Sequence, residues 1–459
     1  MSPTLPLIAH PSAGAVLAYR AGAPIRAGEF LADVARVAER LGAGRHVLNA
    51  CADRYHFTVG FAATLLSGRL SLLPSTHTAE VIRQLRAYAP DVVCLTDTDD
   101  CDIELPRVPY PRTAAASDAS PPGTPAVPAP SMSVPAIGAA QPAACVFTSG
   151  STGTPVPHRK SFGPLIACVG EEARRLGIAD GTSRAIVATV PPQHMYGLES
   201  SVLMALATGH ALCAERPFYP ADIAAVLAAV PRPRILVSTP VHLRALLESG
   251  IAVPATDLIV CSTAPLAAPL AADIERRCAT RLLEVYGSTE TGQIALRRPT
   301  EGPEWRLWPG IKLSARGEET WAQGGHIEQP TRLWDVLEVT GAGRFLLHGR
   351  VADLVNIAGK RSSLAYLDHQ LNSIPGVVDG AFFHVDDPRA AARGVARVAA
   401  CVVAPQLDTA QVVEELRRRI DPVFLPRPLV FVAQLPRNST GKLPQEALRS
   451  LAAAHLKSA

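Results

Sequence analysis

The sequence predicts an α/β protein with a large N-terminal domain of layered sheets and helices and a small α+β C-terminal domain. Three observations lead to this prediction. The chain has 459 residues, enough for two or more domains, and 48% of them are hydrophobic, enough for a large core. Strand-like and helix-like segments alternate through the first hundred residues. The pattern changes character near Arg350.

The N-terminal hundred residues contain the clearest periodic segments. Apolar residues at helical spacing predict helices over 29–41 and 79–88, and short apolar runs predict strands at 46–49, 70–73 and 91–96. Strands that alternate with helices are typical of parallel sheets covered by helices.

Residues 113–143 differ from the segments around them. They contain seven Pro and one charged residue. Because such a segment cannot bury a regular apolar face, we expect a Pro/Ala-rich surface excursion or mobile linker. The regular α/β pattern resumes after it, with a strand predicted over 143–147.

Past residue 350 the pattern indicates the smaller unit, so we predict domains at 1–350 and 351–459. A helix is expected after Ser363, and strands are expected at 381–385 and 397–403. A further helix is expected after Asp408, because Gln411 three residues later completes a capping-box pattern.

Composition and charge exclude several classes of protein. The 44 Lys plus Arg nearly balance the 41 Asp plus Glu, so no broad field would attract nucleic acid or an anionic membrane. The nine Cys have no paired spacing and are expected to be small buried residues in a reducing cytoplasm. No targeting segment and no spanning run of about 18–20 apolar residues stands out, so we expect a soluble, cytoplasmic protein.

The strongest local motif is VFTSGSTGTP at 146–155. An apolar strand leads into a loop whose glycines allow close backbone approach and whose hydroxyls suit phosphate oxygens. The motif alone is also compatible with an ordinary Ser/Gly turn. A Walker loop is absent, which disfavours a P-loop kinase or ATPase.

A second motif, EVYGSTETG at 284–292, has the groups that a magnesium-nucleotide needs. Tyr286 offers a flat face for a base, Gly287 a tight turn, Thr289 a phosphate donor and Glu290 a carboxylate for Mg²⁺. In isolation it is equally typical of a strand end with a solvated Glu.

Two more motifs lie at and beyond the predicted boundary, FLLHGRVADLVNIAGKR at 345–361 and LPRNSTGKL at 435–443. The chain has only five Lys, so Lys442 is a notable residue. Its slender ammonium can enter a crowded site that an Arg fork cannot fill.

These four motifs in this order resemble the adenylate-forming superfamily of acyl-CoA synthetases, aryl-acid and peptide-synthetase adenylation domains, and luciferases. The resemblance implies an AMP-forming acid–thiol ligase that uses ATP and Mg²⁺. It also implies that the large domain carries the ATP and acid sites, and that the small C-terminal domain moves between an adenylating and a thioester-forming pose.

The resemblance also implies roles for individual residues. Phosphate binding falls to Thr148, Ser149, Gly150, Ser151, Thr152 and Gly153. The adenine and α-phosphate region falls to Ser262, Thr263, Ala264, Tyr286, Gly287 and Thr289, and the ribose to Asp335 and Arg350. Glu290 would hold Mg²⁺, Lys442 would bridge carboxylate and α-phosphate, His194 and Tyr196 would lie beside the acid, and Gly359 and Lys360 beside the thiol arm.

The chain departs from the family pattern in three places. The usual Lys after the Pro of the phosphate loop is Val156, so Arg159 or Lys160 would have to substitute for it. The ribose Asp335 stands in RLWDV instead of the common T-G-D. The usual hinge acid is Ala352, with Asp353 beside it.

At a finer level, the PVPHRK and PPQHMYGLE strings and the short length most resemble ligases of aryl polyene and xanthomonadin pigment clusters. Those enzymes activate 4-hydroxybenzoate or a related aryl acid and load it onto an acyl carrier protein. The pocket strings suit a compact acid with one polar tip, and no pocket Asp stands out for an amino-acid ammonium.

Two alternatives remain open from the sequence. Arg417, Arg418 and Arg419 form a basic face that suits an acidic carrier protein, but Glu414 and Glu415 are spaced to pair with them, which leaves free CoA as an acceptor. A catalytically silent nucleotide-binding relative is the other alternative, disfavoured because Glu290 and Lys442 are both present.

Overall fold

The protein is described here from a computed structural model. The structure describes residues 3–111, 132–149, 155–317, 319–350, 354–357, 360–385, 397–437 and 443–458. Predictions that fall on residues 112–131, 150–154, 351–353, 358–359 and 438–442 therefore lie outside the described residues.

A sheet of eleven strands forms the largest layer. Its strands lie in the order Asp335–Gly341, Arg344–Arg350, Trp305–Leu307, Gly292–Arg297, Arg281–Ser288, Leu258–Cys261, Arg234–Ser238, Ala185–Ala188, Ala211–Cys213, Val16–Arg20 and Ala23–Arg26. The central strands are parallel, and the strands from Gly292–Arg297 to Asp335–Gly341 pair in antiparallel fashion. Parallel strands buried on both faces read as continuous apolar runs, as ILV and LIV do here.

A second, six-stranded sheet contributes the predicted phosphate-loop strand. Its order is Pro155–Ser161, Pro142–Ser149, Leu70–Leu73, His46–Asn49, Val93–Thr96 and Arg107–Pro109. The inner strands are parallel, and only Pro155–Ser161 runs antiparallel to its neighbour. Smaller sheets pair Thr4–Pro6 with Ala136–Gly138, and Lys312–Arg316, Glu319–Gly324 and Ile327–Leu333 with one another.

Helices pack between and over these sheets. In the first 300 residues they are Ala27–Arg40, Arg54–Leu66, Ala79–Tyr88, Phe162–Leu176, Met195–Gly197, Met204–Thr208, Pro220–Ala229, Pro240–Glu248 and Ala268–Cys278. A π-helical turn, Leu198–Leu203, joins Met195–Gly197 to Met204–Thr208. The main apolar core lies around Arg54–Leu66, Phe162–Leu176 and the 198–206 segment.

The C-terminal part has its own apolar clusters. Strands Asp379–His384, Val398–Val403 and Leu429–Phe431 form a sheet, and Leu354–Ile357 pairs with Lys360–Ser363. Helices Leu364–Asn372, Thr409–Arg419 and Gln445–Ser458 and a 3-10 turn, Pro422–Phe424, pack with them. The residues of these clusters lie between 355 and 452. The boundary at 350 itself stays a prediction.

Several sequence predictions of local structure are confirmed. The helix at 79–88 and the strands at 46–49 and 70–73 have the expected bounds. The capping box is also present, because Asp408 accepts from the Gln411 backbone N–H at 2.8 Å and Gln411 returns the bond to the Asp408 N–H at 2.9 Å. All nine cysteines are free, and all but Cys101 are buried.

The predicted surface excursion at 113–143 contains regular structure in its described part, 132–143. Ala136–Gly138 forms a strand with Thr4–Pro6, and Ile137 is 3% exposed. Strand Pro142–Ser149 begins before the predicted position 143. The high Pro and Ala content of the segment gave no sequence signal for the short strand Ala136–Gly138, which buries Ile137. Residues 113–131 lie outside the described residues.

In the part of the chain that the structure describes, no helix is both long and apolar enough to cross a bilayer.

Candidate active site

The predicted phosphate loop joins two paired strands. Pro142–Ser149 and Pro155–Ser161 form an antiparallel pair in which Thr148 lies opposite Val156. The side chain of Thr148 is half-buried. Gly150, Ser151, Thr152 and Gly153 lie outside the described residues, so their phosphate-binding roles, like that of Ser149, stay predictions.

His158 links this strand pair to the second motif. Its Nε2 lies 2.9 Å from Thr148 Oγ1 and 3.7 Å from Glu290 Oε1. Burial lowers the pKa of His158, and the Lys160 ammonium lowers it further, while Glu290 opposes both. The two predicted nucleotide segments therefore meet at one imidazole.

Lys160 points to the same place. Its ammonium donates a 2.6 Å hydrogen bond to the backbone carbonyl of Glu290. The neighbouring Arg159 is exposed and donates to Tyr88 Oη at 3.2 Å. Residues 158 and 160 share a face of the strand because side chains alternate along it. Of the two cations weighed from the sequence, Lys160 is the one beside Glu290.

Burial lowers the pKa of Lys160, and the nearby carboxylates of Glu199, Glu328 and Glu290 oppose that shift. The ammonium is thus embedded among acids that favour its charged form.

Glu290 lies in the turn between strands Arg281–Ser288 and Gly292–Arg297. Ser288 and Thr291 brace this turn: each backbone N–H donates to the other's hydroxyl at 3.2 Å. The Glu290 side chain is 24% exposed, and the Thr289 side chain is half-buried. A carboxylate at the tip of a fixed turn can reach a ligand without a change of backbone.

Gly287 is required by the close approach of these two strands. A Cβ at this position would lie 2.3 Å from the carbonyl oxygen of Gly292, closer than real Cβ contacts allow. A bulge in the strand pairing falls between Tyr286 and Gly287. The backbone at this point is thus tightly packed under the Glu290 turn.

Tyr286 is held from two sides. Its hydroxyl donates to Asp335 Oδ2 at 2.7 Å. Its ring is 8% exposed and lies 5.6 Å from Trp305 and 5.5 Å from Phe345, centroid to centroid. The predicted ribose residues Asp335 and Arg350 are directly paired across their strands. The structure therefore brings Tyr286, Asp335 and the Arg350 backbone together.

The Ser262–Ala264 segment follows strand Leu258–Cys261, which is parallel to the Tyr286 strand. Ser262 Oγ donates to the Val285 carbonyl at 2.8 Å, and Thr263 is exposed with a φ of 84°. Ligands of open α/β sheets bind beyond the carboxyl ends of the strands, which is where this segment and Tyr286 lie.

The predicted acid residues are placed differently from one another. His194 is half-buried at the start of helix Met195–Gly197. Tyr196 is 9% exposed, and its hydroxyl already donates to the carbonyls of Val260 at 2.9 Å and Ser238 at 3.3 Å. The Tyr196 hydroxyl proton is therefore used in hydrogen bonds to strand carbonyls, and only the ring remains for contact with a ligand.

A buried polar cluster lies next to this segment and was missed from the sequence. Ser200 Oγ donates to Glu172 Oε1 at 2.6 Å, and Gln293 Nε2 donates to Ser200 Oγ at 2.8 Å. The Cys168 thiol donates to Glu199 Oε1 at 3.1 Å. We call Cys168, Glu172, Glu199, Ser200 and Gln293 the buried polar cluster.

Both acids of the buried polar cluster are shifted towards their neutral forms. Burial raises the pKa of Glu172 to about 8 and that of Glu199 to about 7. Gly292 leaves room for Glu199, since a Cβ there would lie 2.7 Å from Glu199 Oε1. A π-helical turn carries Glu199 and Ser200, and such turns are frequent at functional sites.

Several predicted site residues cannot be placed with their side chains. Lys442, Gly359 and the hinge positions Ala352 and Asp353 lie outside the described residues, and Lys360 begins a strand that pairs with Leu354–Ile357. Their roles stay predictions.

The residues missed from the sequence, His158, Glu172 and Gln293, belong to three different elements. The PHRK string is unusual, but no strand is predicted there that would point His158 at the second motif. A Glu inside an apolar helix face was the only available signal for Glu172.

Fold and site together define a class: an α/β protein in which the strand before a Ser/Thr-rich segment, in one sheet, meets an acidic turn that follows a parallel strand of a second sheet. The AMP-binding enzyme family matches residues 10–319, and the chain belongs to that family. It is similar to a 4-coumarate–CoA ligase of Rhodobacter capsulatus, with 32% identity over 50% of this chain and 57% of that protein.

Two solved structures share the whole fold. ATP-bound MatB from Rhodopseudomonas palustris has a TM-score of 0.78 at 21% identity, over 96% of each chain. The o-succinylbenzoate CoA synthetase (MenE) from Bacillus subtilis, in complex with an acyl-adenylate intermediate, has a TM-score of 0.78 at 16% identity, over 97% of this chain and 98% of that one. The adenylate-forming fold expected from the sequence is confirmed.

The family match makes the chain an AMP-binding enzyme, and its ligase activity is a proposal. Because the match with the R. capsulatus ligase covers 57% of that protein, the acid, the thiol and the partners of the whole protein are proposals.

Proposed function

We propose that the protein activates an aryl acid such as 4-hydroxybenzoate with ATP to an acyl-AMP and passes the acyl group to a phosphopantetheine thiol. The observation that carries this proposal is the contact of His158 with both Thr148 and Glu290. It joins the phosphate strand to the acidic turn, and an adenylating enzyme needs both at one nucleotide.

In the first step a carboxylate oxygen of the acid attacks the α-phosphorus of ATP. A bond forms between them, and the bond to pyrophosphate breaks. The reaction joins two anions, so positioning and charge neutralisation supply most of the rate. No protein nucleophile is required.

Glu290 fits a Mg²⁺ ion. Mg²⁺ in nucleotide sites usually takes one or two carboxylates, with phosphates and water as its remaining ligands. Glu290 offers a single, partly exposed carboxylate at the tip of a braced turn, and within the described ranges no group of three or more His, Cys, Asp or Glu competes as a metal site. When bound there, Mg²⁺ would neutralise phosphate charge.

Lys160 takes over part of the work of the missing loop Lys. It holds the Glu290 backbone at 2.6 Å and places a positive charge beside the turn, while Val156, at the usual Lys position, is 44% exposed. Lys160 is a positioning residue in this proposal, since it acts through Glu290. Thr289 lies next to Glu290 and would donate to the α-phosphate.

Lys442 would neutralise the charge that builds between the acid and the α-phosphate. The support for this role is the resemblance of the LPRNSTGKL motif. Removal of a charge that acts mainly in the transition state lowers the rate more than ATP binding.

Two thiols are candidates for the second step, in which the thiol attacks the acyl carbon and AMP leaves. The resemblance to pigment-cluster ligases favours an acyl carrier protein. A second candidate, free CoA, is supported by ion pairs in the C-terminal part. Arg417 and Arg418 lie 3.5 Å from Glu414, Arg418 lies 3.0 Å from Glu415, and Arg419 also pairs with Glu415, so their charge is largely balanced within the helix.

The test is ATP–pyrophosphate exchange with a panel of aryl, fatty and amino acids, followed by thioester formation with CoA or holo carrier protein. We expect exchange with a small aryl acid and little exchange by Glu290→Gln or Lys442→Ala. No exchange with any acid would leave a catalytically silent relative. Efficient transfer to CoA, and none to holo carrier protein, would exclude the carrier protein as the acyl acceptor.

A further inference from the structure

A hairpin of the three-stranded sheet contacts both segments of the proposed nucleotide site. Strands Glu319–Gly324 and Ile327–Leu333 form this hairpin, and His326 lies in its turn. His326 Nε2 donates to the backbone carbonyl of Thr291 at 3.0 Å, one residue past Glu290. We call this pair of strands, with its turn, the bracing hairpin.

The bracing hairpin also holds the end of the strand that carries Lys160. Two residues after His326, the Glu328 carboxylate accepts from the Ser161 backbone N–H at 3.1 Å and from the Ser161 hydroxyl at 2.7 Å. Ser161 is the N-cap of helix Phe162–Leu176, where a negative charge is favourable. Both oxygens of Glu328 are therefore used at the junction of strand and helix.

These contacts close a ring around the acidic turn. Lys160 donates to the Glu290 carbonyl at 2.6 Å, and the imidazole of the bracing hairpin donates to the next carbonyl, that of Thr291. Glu328 fixes Ser161, the residue after Lys160. Two adjacent carbonyls of the turn are thus held from outside it. A turn held in this way has fewer backbone conformations, so the carboxylate that it carries is ordered before a ligand binds.

The turn of the bracing hairpin is itself packed against the preceding chain. Gly324 has a φ of 88°, and a Cβ there would lie 2.2 Å from the Gly310 carbonyl oxygen. The His326 ring lies 5.7 Å from the buried Trp308 ring, centroid to centroid. The Trp308 backbone N–H donates to the Ile294 carbonyl at 2.9 Å, in the strand that follows the acidic turn. The imidazole is therefore positioned by packed backbone.

His326 donates as a neutral imidazole. Burial lowers its pKa to about 4, although the hydrogen bond to Thr291 opposes this shift. A carbonyl oxygen only accepts, so Nε2 carries the proton at neutral pH. The Lys160 ammonium also lowers the pKa, and a neutral donor avoids a second positive charge near it.

We propose that His326 and Glu328 are positioning residues that hold the Glu290 carboxylate ready for a magnesium-nucleotide. Neither side chain has to touch ATP. The imidazole acts through the Thr291 carbonyl, and the Glu328 carboxylate acts through Ser161. This inference rests on the proposed function and adds to it the residues that order its metal site.

The first test uses two replacements of His326 that differ in reach. The amide nitrogen of Gln lies as many bonds from Cα as Nε2 of His does, so His326→Gln keeps the donor. The amide nitrogen of Asn lies one bond closer, so His326→Asn loses it. Calorimetry should show that His326→Asn binds ATP about three- to tenfold more weakly than wild type when Mg²⁺ is present, as expected for the loss of one neutral hydrogen bond. Without Mg²⁺ it should bind within about twofold of wild type, and His326→Gln should do so in both conditions.

Thr331→Val is the matched control within the bracing hairpin. The Thr331 hydroxyl donates to the Gln329 carbonyl at 2.8 Å, so its hydrogen bond stays inside one strand. The control should leave both affinities within about twofold of wild type. The role of His326 is refuted if His326→Asn behaves like Thr331→Val, if it loses as much affinity without Mg²⁺ as with it, or if His326→Gln is as weak as His326→Asn.

Glu328→Ala tests the second contact, and it decides alone if His326→Asn does not fold, because Glu328 is exposed. It should weaken ATP binding by about threefold or more with Mg²⁺ present, and it should raise the Mg²⁺ concentration needed for half-maximal pyrophosphate exchange. An affinity and a Mg²⁺ requirement equal to those of wild type would overturn its role. No exchange by the wild-type protein with any acid would overturn the proposed function instead, while calorimetry would still decide the roles of His326 and Glu328.

Discussion

Replacing Lys160 by Met should weaken the response of the enzyme to Mg²⁺. The change removes the 2.6 Å bond to the Glu290 carbonyl and the positive charge beside the turn. A hydrogen bond with one charged partner contributes about 1.5–3 kcal/mol, which corresponds to about a 10- to 100-fold change in an equilibrium or a rate. We therefore expect kcat/KM for ATP to fall by about that factor.

The assay separates positioning from general damage. Lys160→Met should need about tenfold more Mg²⁺ than wild type to reach half of its maximal rate. Calorimetry should show that the variant binds ATP more weakly than wild type when Mg²⁺ is present, and equally well when it is absent. Lys160→Arg should recover only part of the loss, because the wide guanidinium does not reproduce an ammonium in a tight site.

Arg159→Met is the matched control, since Arg159 is the exposed neighbour that donates to Tyr88. It should change kcat/KM and the Mg²⁺ requirement by less than about twofold. If Lys160→Met behaves like Arg159→Met in both measurements, Lys160 has no positioning role and the reasoning fails.

Three further outcomes are expected. Glu290→Gln should lower pyrophosphate exchange by a factor of about 100 or more while metal-free ATP binding, measured by calorimetry, stays unchanged; an equal loss of metal-free binding would argue against a metal role. Arg54→Met should reduce the free energy of unfolding, measured in urea, by about 3 kcal/mol or more. The reason is that the fully buried guanidinium donates to the carbonyls of Ala188 and Val190 at 2.8 Å. A reduction below about 1 kcal/mol, as expected for an exposed site, would contradict this. Burial raises the pKa of Glu172 from 4.5 to about 8, so its contribution to the free energy of unfolding is present below pH 4.5 and is lost as the pH rises through 8. The urea midpoints measured at about pH 6 and about pH 9 should therefore differ less in Glu172→Gln than in wild type. Glu199 adds a pH dependence of the same sign in both proteins.

Local structure in this chain was predictable wherever a short run of residues decides it. The strands at 46–49 and 70–73 are contiguous apolar segments, and the helix after Asp408 begins with a complete capping box. The helix Arg54–Leu66 was not foreseen. It is buried nearly all around, so its sequence shows no apolar stripe against a polar face.

The candidate site was predictable only as a set of segments. Glycines, hydroxyls and a Glu in the right strings predicted a nucleotide site from separate segments, and the described parts of two of those segments meet at His158 and Lys160. The contact between Glu172, Ser200 and Gln293 joins residues up to 121 positions apart, and nothing in local composition specifies that pairing. Ion pairs one helical turn apart, such as Glu415 with Arg418, could be read from spacing alone.

On the proposed function, the hydrogen bond of Lys160 to the Glu290 turn accounts for the absence of a Lys at position 156. Val156, at the usual position of that Lys, lies on the same strand but is 44% exposed, so a Lys there would have to order its long side chain when ATP binds. Lys160 instead sits opposite Ala144 in a regular strand pair, on the same face as His158, and its ammonium is already hydrogen-bonded to the Glu290 turn. Less conformational entropy is then lost on binding, because the Lys160 side chain is ordered beforehand. The same geometry fixes where the charge acts, so Lys160 can serve the acidic turn but has little freedom to follow the phosphates.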